Sequence, residues 1–207
     1  MIERRSFLRF LSAGAVAAVL APSLARAADA PAVETVKIFY ATLIEVMQQA
    51  KALGFQGRYQ KLEPAMRRAF NLPLMARLTI GPDWQKLSAD EQTAFTTAFS
   101  DFSISTYASR FDGYSGQRFE VSPETTTSAG GMIVNTKLIE NDGNIIELNY
   151  FLRDGEGGWQ IIDVFLKGTV SELATRRAEF STVLRNDGAG ALLKLIQQRT
   201  ADLKKPA

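Results

Sequence analysis

The chain has 207 residues, of which 46% are hydrophobic and 22% are charged, and it contains neither cysteine nor histidine. This length suits one ordinary domain with a sizeable core. The two missing residue types exclude the usual metal ligands, thiol nucleophiles and every histidine-based triad or general base. No metal or cofactor is therefore expected, and catalysis would depend on carboxylates, lysine, tyrosine, arginine or serine alone.

The first 27 residues have the organisation of an export signal. An arginine-containing start precedes an apolar run over residues 10–21, which is too short to span a bilayer, and small residues end the segment. Residues 3–9, ERRSFLR, resemble the twin-arginine signal, which directs folded proteins across the inner membrane. The alternative is a general secretory signal that happens to contain two arginines. Both predict cleavage after Ala27 and a periplasmic mature protein.

The formal charge of +2 belongs largely to this segment. It carries four arginines and one glutamate, so its removal leaves 20 basic and 21 acidic residues and a net charge of −1. The basic isoelectric point is therefore no evidence for nucleic-acid binding.

The mature chain, residues 28–207, begins with segments of helical periodicity. These helices are predicted over residues 33–53, 58–70, 72–80 and 89–111. Ser88 and Glu91 form a predicted capping box at the start of the fourth. The apolar residues of that helix fall on two faces, which predicts either a bend near Ser103 and Ser105 or a helix that contacts the core first and a cavity second. One face holds Phe95, Phe99 and Phe102, and the other holds Ile104, Tyr107, Ala108 and Phe111.

Four strands follow, joined by turns rich in glycine, asparagine and aspartate. They are predicted over residues 119–122, 132–140, 145–153 and 159–166, with a polar connection over 123–131. Both faces of the last strand are mostly apolar, which is typical of a strand that is covered on both sides or lines a cavity. Beyond Gly168 the pattern predicts a helix over 170–185, a break at 186–188 and an amphipathic C-terminal helix.

The order of helices, antiparallel strands and helices predicts an α+β domain. We expect a curved four-stranded antiparallel sheet covered by helices, which is an NTF2-like arrangement with an added helical part. Such a half-cone leaves room for an apolar pocket. The hairpin formed by the last two strands and the helix after it are expected to wall that pocket and to hold a lipid.

Several short blocks resemble the C-terminal signature of the MlaC-like (toluene-tolerance) family of periplasmic lipid carriers. They are Asn149-Tyr150, 159–164 (WQIIDV), 168–171 (GTVS) and 176–180 (RRAEF). Three further blocks look closer to the hopanoid-associated branch of that family, often called HpnM. They are 81–84 (GPDW), 110–116 (RFDGYSG) and 171–177 (SELATRR). The likeness covers essentially all of the mature chain.

This resemblance implies a shuttle that holds phospholipid acyl chains, or a hopanoid, in a cavity between sheet and helices. It also implies membrane partners and no nucleic acid. At the inner membrane these are a complex of ABC type that contains an MCE protein or, for the hopanoid branch, an RND-type exporter. At the outer membrane the implied partner is a lipoprotein complex.

Fifteen residues at helical or strand spacing are predicted to line the lipid pocket, although for each the alternative is an ordinary core position. They are Tyr40, Leu43, Phe99, Phe102, Tyr107, Phe111, Leu138, Leu148, Tyr150, Leu152, Ile162, Val164, Val170, Leu173 and Phe180.

Asp163 is the candidate for chemistry. In one interpretation it is the base of an NTF2-like isomerase or hydrolase that acts on an apolar substrate. In the other, which we favour, it pairs with Arg176 or Arg177 or accepts backbone N–H groups at the helix start near Val170. Ser171 has no histidine to activate it and is predicted to be an N-cap.

Four cations near the C-terminal half are candidates for a lipid phosphate or an acidic partner, or they form a solvated face. They are Arg153, Lys167, Arg176 and Arg177. A third hypothesis for the whole chain is an adaptor that docks an apolar face on a partner protein.

Overall fold

The computed structural model describes residues 24–128 and 130–205. The predicted export signal, residues 1–27, therefore lies almost wholly outside the described residues. The helices are α1 (Leu24–Gln48), α2 (Ala50–Ala69), α3 (Leu72–Ile80), α4 (Ala89–Arg110) and α5 (Glu172–Leu203), with a 3-10 turn at Gly81–Lys86. The strands are β1 (Arg118–Ser128), β2 (Gly131–Ile139), β3 (Ile145–Arg153), β4 (Gln160–Leu166) and β5 (Val170–Ser171).

The five strands form one antiparallel sheet in the order β1-β2-β3-β4-β5. Helix α1 packs on β1 and β2, whereas α3 and α5 pack on β4, and α4 lies against α2, α3 and α5. The predicted α+β class, a curved antiparallel sheet covered by helices, is confirmed. The added fifth strand is a two-residue edge.

Strand β1 is longer than the sequence pattern predicts. The predicted strand ended at Ser122, but pairing with β2 resumes at Thr125 and continues to Ser128. Between Val121 and Thr125 three residues of β1 face a single residue of β2. This irregularity contains Pro123, which has no N–H to donate to a ladder. The threonines beyond it are β-branched and suit a strand, so the predicted polar connection over 123–131 is wrong.

A bulge in β4 changes which of its residues share a face. Phe151 lies opposite Asp163, but the next residue, Leu152, lies opposite Ile161, so Ile162 is an extra residue. The bulge places Ile161 on the same side as Val164. Simple alternation over the whole strand had put these two residues on opposite faces.

The predicted bounds of the first two helices are wrong. Helix α1 runs Leu24–Gln48 and α2 begins at Ala50, whereas the periodicity placed one helix over 33–53 and the next from residue 58. Gly54 still interrupts the helical geometry inside α2, with φ 58° and ψ −175°. Glycine adopts this positive φ without the steric cost that a side chain would bring.

Helix α4 follows its predicted start closely. Ser88 accepts from the Glu91 N–H at 3.2 Å, and the Glu91 carboxylate accepts from the Ser88 N–H at 2.8 Å, so the capping box is confirmed. Its φ and ψ angles contain no interruption from Ala89 to Arg110. Helical geometry is therefore not interrupted near Ser103 and Ser105, where a bend was one of the two alternatives.

Helix α5 begins two residues later than predicted because Val170 and Ser171 pair with β4 as a short strand. Ser171 is the N-cap and accepts from the Ala174 N–H at 2.9 Å, as predicted. The predicted break at 186–188 is confirmed, since Gly188 has φ 85° and ψ 174°. No helix of the described residues has the length and apolar character needed to cross a bilayer.

Candidate functional site

An apolar cavity lies between the inner face of the sheet and helices α3, α4 and α5. The space open to the centre of a water-sized sphere measures about 120 Å³, whereas roughly 10–15 Å³ of such space holds one water molecule. The surrounding side chains leave room that they do not fill. The cavity is lined by Met66, Phe70, Leu72, Met75, Thr79, Phe99, Phe102, Ser103, Thr106, Tyr107, Arg110, Phe111, Leu148, Tyr150, Val164, Leu166, Glu172, Leu173 and Arg176.

Helix α4 contributes one complete face to this cavity. The residues at positions i, i+3, i+4, i+7, i+8 and i+11 are Phe99, Phe102, Ser103, Thr106, Tyr107 and Arg110. Ser103 Oγ donates to the Phe99 carbonyl, and Thr106 Oγ1 donates to the Phe102 carbonyl, both at 2.8 Å. Because both hydroxyls are satisfied within the helix, they add little polarity to the wall. Their small size leaves space between the larger aromatic rings.

The opposite wall comes from β3 and β4. Tyr150 lies opposite Val164, and Leu148 lies opposite Leu166. Side chains that are directly opposite in an antiparallel pair project to the same side of the sheet. These four residues therefore form a continuous surface that faces α4.

The end of α2 and helix α3 form the third wall. Asn71 joins this wall to the sheet, since its N–H donates to the Ile161 carbonyl at 2.9 Å. Its side chain also caps α3 by accepting from the Leu74 N–H at 3.0 Å. Met66 and Met75 supply unbranched, polarisable side chains that adapt to irregular space. This wall combines a fixed backbone position with deformable side chains.

Three tyrosines form a chain of hydroxyl groups at the sheet side of the cavity. Tyr40 Oη lies 2.6 Å from Thr136 Oγ1 and 3.1 Å from Tyr150 Oη. Tyr150 is also hydrogen-bonded to Tyr107, and the Thr136 hydroxyl donates to the Leu148 carbonyl. Buried polar atoms are costly without partners. Because these hydroxyls satisfy one another, the cavity wall is effectively apolar here.

These tyrosines predict a loss of stability at high pH. Burial raises the pKa of the Tyr107 phenol to about 12 and raises the pKa values of Tyr40 and Tyr150 above the ordinary 10.0. The unfolded chain releases these protons above pH 10, whereas the folded chain retains them. Their contribution is therefore complete below pH 10 and is lost as the pH rises towards 12. The denaturation midpoint should fall over this window.

The check is urea denaturation between pH 9 and 12, with Tyr107→Phe as the comparison. Lysines also titrate in this range, but their contribution is the same in both proteins. The variant should lose stability less steeply with pH than the parent protein. Identical slopes would show that the Tyr107 phenol does not carry the effect.

Three charged residues mark the place where the cavity meets solvent. Arg110 is exposed at the end of α4, and the Glu172 and Arg176 side chains on α5 are 27% and 22% exposed. The other lining residues are apolar, aromatic or small hydroxyl-bearing side chains. The site therefore has an apolar interior and a charged rim. This arrangement suits an amphipathic guest.

The comparison with protein families places the chain in one of them. Residues 38–198 match the family described as MlaC protein. The chain belongs to the MlaC family. The family resemblance seen in the sequence blocks is thereby confirmed.

One solved structure has the same fold as this MlaC-family chain. It is a phospholipid-binding protein from Ralstonia solanacearum in complex with a phospholipid. The TM-score is 0.74 at 19% sequence identity, and the match covers 84% of this chain and 99% of that chain. At this identity the likeness establishes the shared fold. No curated protein matches the chain.

Eight predicted lining residues of this MlaC-family protein border the cavity. They are Phe99, Phe102, Tyr107, Phe111, Leu148, Tyr150, Val164 and Leu173. Seven lie elsewhere, namely Tyr40, Leu43, Leu138, Leu152, Ile162, Val170 and Phe180. The two groups divide largely by their position on the sheet. The part of the sheet covered by α1 is closely packed, whereas the part that faces α4 and α5 borders the cavity.

Four of these seven belong to the packed half. Tyr40 and Leu43 lie on α1, and the Tyr40 ring stacks on Phe119 with centroids 4.0 Å apart. Leu138 and Leu152 are buried on the inner face of β2 and β3. Their spacing indicated burial correctly, but periodicity alone does not distinguish a core from a cavity wall.

The other three are displaced by local structure. Ile162 is the extra residue of the β4 bulge. Val170 is 50% exposed because it lies in the edge strand β5. Phe180 is fully buried against Phe95, with ring centroids 6.1 Å apart.

Eleven lining residues were not predicted, and their signals differ. Met66 and Phe70 continue the apolar stripe of α2, and Leu166 shares a strand face with Val164. The periodicity of the sequence therefore already placed these three residues on apolar faces. The hydroxyl-bearing and charged lining residues are polar, so a search for apolar periodicity does not identify them. The eleven are Met66, Phe70, Leu72, Met75, Thr79, Ser103, Thr106, Arg110, Leu166, Glu172 and Arg176.

Asp163 does not line the cavity and has a different role. Its Oδ1 accepts from the N–H groups of Val164 and Leu173 at 2.7 and 3.0 Å, and its Oδ2 accepts from Ser171 Oγ at 2.6 Å. The carboxylate therefore fixes the start of α5 against β4. The predicted acceptance of backbone N–H groups is observed, whereas the predicted pairing with an arginine is not.

Proposed function

We propose that this protein is a periplasmic carrier that holds a phospholipid, or a hopanoid of comparable size, with its apolar part inside the cavity. Membership of the MlaC family and the fold shared with a phospholipid-bound protein support this proposal. The observation that carries it is the unfilled apolar space bounded by α3, α4, α5 and the sheet. No reacting group is needed for this task.

The free energy that the lipid gains in the carrier is large, but it is nearly equal to the free energy that the lipid gains in a membrane. At about 0.8 kcal/mol per buried methylene, two acyl chains of roughly fifteen methylenes each gain on the order of 24 kcal/mol relative to water. A membrane offers nearly the same gain. A carrier therefore needs only to match the membrane, and a modest opening on docking releases the lipid.

The rival hypothesis was a cavity enzyme that uses Asp163 as a base. In the structure that carboxylate lies outside the cavity, and both of its oxygen atoms are engaged in hydrogen bonds at the start of α5. A base must reach the proton that it abstracts. Carriage is accordingly the function that the geometry supports best.

The proposed route runs between the inner and outer membranes and maintains outer-membrane lipid balance. The twin-arginine-like segment over residues 3–9 supports export as a folded protein. The partners we propose are an inner-membrane MCE and ABC-type complex and an outer-membrane lipoprotein complex. If the HpnM-like blocks identify the branch, the cargo is a hopanoid and the inner partner is an RND-type exporter.

Extraction of the purified protein followed by mass spectrometry tests the proposal, with Leu148→Arg as the variant. Leu148 is 9% exposed and forms part of the sheet wall. The parent protein should carry about one phospholipid or hopanoid per chain. A guanidinium placed in this wall opposes an acyl chain, so the variant should lose its lipid while its far-UV circular dichroism stays similar.

Ile145→Arg is the matched control. Ile145 lies on the same strand, three residues earlier, and is 53% exposed, so this variant should retain its lipid. Retention of lipid by Leu148→Arg would show that the guest does not touch this wall. A parent protein that never carries lipid would favour the adaptor hypothesis instead.

A further inference from the structure

The charged rim of the cavity contains Arg176, which packs against an aromatic ring but makes no close hydrogen bond to its acidic neighbours. The Arg176 guanidinium lies over the Phe102 ring, 4.8 Å from its centroid. Its nitrogen atoms lie 3.8 Å from Glu172 Oε2 and 3.6 Å from Glu179 Oε2. Both distances exceed that of a hydrogen bond. Among the described residues this guanidinium makes no hydrogen bond, so its N–H groups can donate to a ligand.

A second arginine stands near the first. Arg110 is the last residue of α4, lines the same cavity and is exposed. Both arginines line the same cavity. Desolvation lowers the pKa of Arg176, the carboxylates of Glu172 and Glu179 oppose this change, and the positive charges of Arg199 and Arg110 add to the lowering. Within the described part of the chain Arg110 makes no ion pair. Two like charges on one rim favour an anion between them.

The local charge has the value that one phosphodiester requires. Glu179 is engaged by Arg199 as well as by Arg176. The rim and its neighbours thus contain three arginines and two glutamates, which leaves one positive charge. Arginine presents its N–H groups in a fork that matches phosphate oxygens.

We propose that Arg110 and Arg176 bind the phosphate group of the lipid while its apolar part occupies the cavity. This inference rests on the proposed function and adds an anion subsite to it. The Phe102 ring supports the Arg176 guanidinium, which lies 4.8 Å from the ring centroid. The subsite distinguishes a phospholipid from an apolar lipid of equal chain length.

The test compares two lipids that have the same acyl chains, phosphatidylglycerol and diacylglycerol. Delipidated parent protein and the double variant Arg110→Gln/Arg176→Gln are titrated with a fluorescent analogue of each. The double variant should bind the phosphatidylglycerol probe about tenfold to a hundredfold more weakly, since charge-assisted hydrogen bonds are lost. Its affinity for the diacylglycerol probe should fall much less, so the ratio of the two affinities is the readout.

The double variant Arg67→Gln/Arg118→Gln is the control for overall charge. It removes two positive charges from exposed ion pairs with Glu63 and Glu120, and it should bind both probes like the parent. Equal weakening in this control would overturn the subsite in favour of general electrostatic attraction. Unchanged binding of phosphatidylglycerol to Arg110→Gln/Arg176→Gln would also overturn it.

Inorganic phosphate separates a headgroup site from a site for the free anion. It should compete with the phosphatidylglycerol probe only weakly and should not affect the diacylglycerol probe. Competition as strong as that of the lipid itself would overturn the headgroup assignment. A parent protein that binds neither probe would contradict the proposed function rather than the subsite alone.

Discussion

Replacing Thr106 with Phe is expected to lower lipid affinity roughly fiftyfold without destabilising the fold. Thr106 lies on the cavity face of α4, and its hydroxyl is satisfied by the Phe102 carbonyl. The larger ring occupies the space of about three methylenes, which at about 0.8 kcal/mol each amounts to about 2.4 kcal/mol of lost lipid burial. Filling an existing cavity leaves stability similar or slightly increased.

Thr97→Phe is the matched control for this substitution. Thr97 lies on the same helix, donates to the Thr93 carbonyl at 3.0 Å and is exposed. Titration with a fluorescent phospholipid and thermal unfolding should show unchanged binding for this variant. If Thr106→Phe binds lipid like the parent, the guest does not occupy the space beside α4. A large fall in its melting temperature would show that the space was not empty.

Asp163→Ala is expected to lower the free energy of unfolding by about 2–4 kcal/mol. Asp163 is 7% exposed, and its carboxylate accepts from Ser171 Oγ and the Leu173 N–H at the start of α5 and from the Val164 N–H in β4. Its removal leaves buried donors without acceptors, each at a cost of about 1–3 kcal/mol. Urea denaturation measures the effect. Asp163→Asn should be milder, because one oxygen acceptor remains.

The control is Asp154→Ala in the exposed turn between β3 and β4, which should change stability by less than about 0.5 kcal/mol. Below its melting temperature, Asp163→Ala should still carry lipid, because the carboxylate lies outside the cavity. A stable variant that has lost only its ligand would contradict the capping role. It would reopen the interpretation of Asp163 as a residue of the site.

Local signals in the sequence were sufficient for several elements. Helix α3 has its predicted bounds because Pro73 suits a first helical turn and Gly81, with φ 67°, ends the helix. The capping box at Ser88 and the break at Gly188 also depend on neighbouring residues alone. Such features are decided within a few residues, so no tertiary information is needed.

Other features depend on partners that are distant in sequence. The β4 bulge at Ile162 exists only in its pairing with β3, and the continuation of β1 beyond Pro123 requires β2. The cavity presents the same difficulty. Apolar spacing identified buried faces such as that of Leu43, but whether the space behind a face is filled depends on how the helices are placed.

Helix α5 is not a single rigid rod, because the chain leaves helical geometry at Gly188. The half before this break carries Leu173 and Arg176, and the half after it buries Leu192 and Ile196. A rod would transmit any tilt at its first turn along its whole length. Because α5 is interrupted at Gly188, the half that borders the cavity can tilt without a matching tilt of the half that is buried in the core.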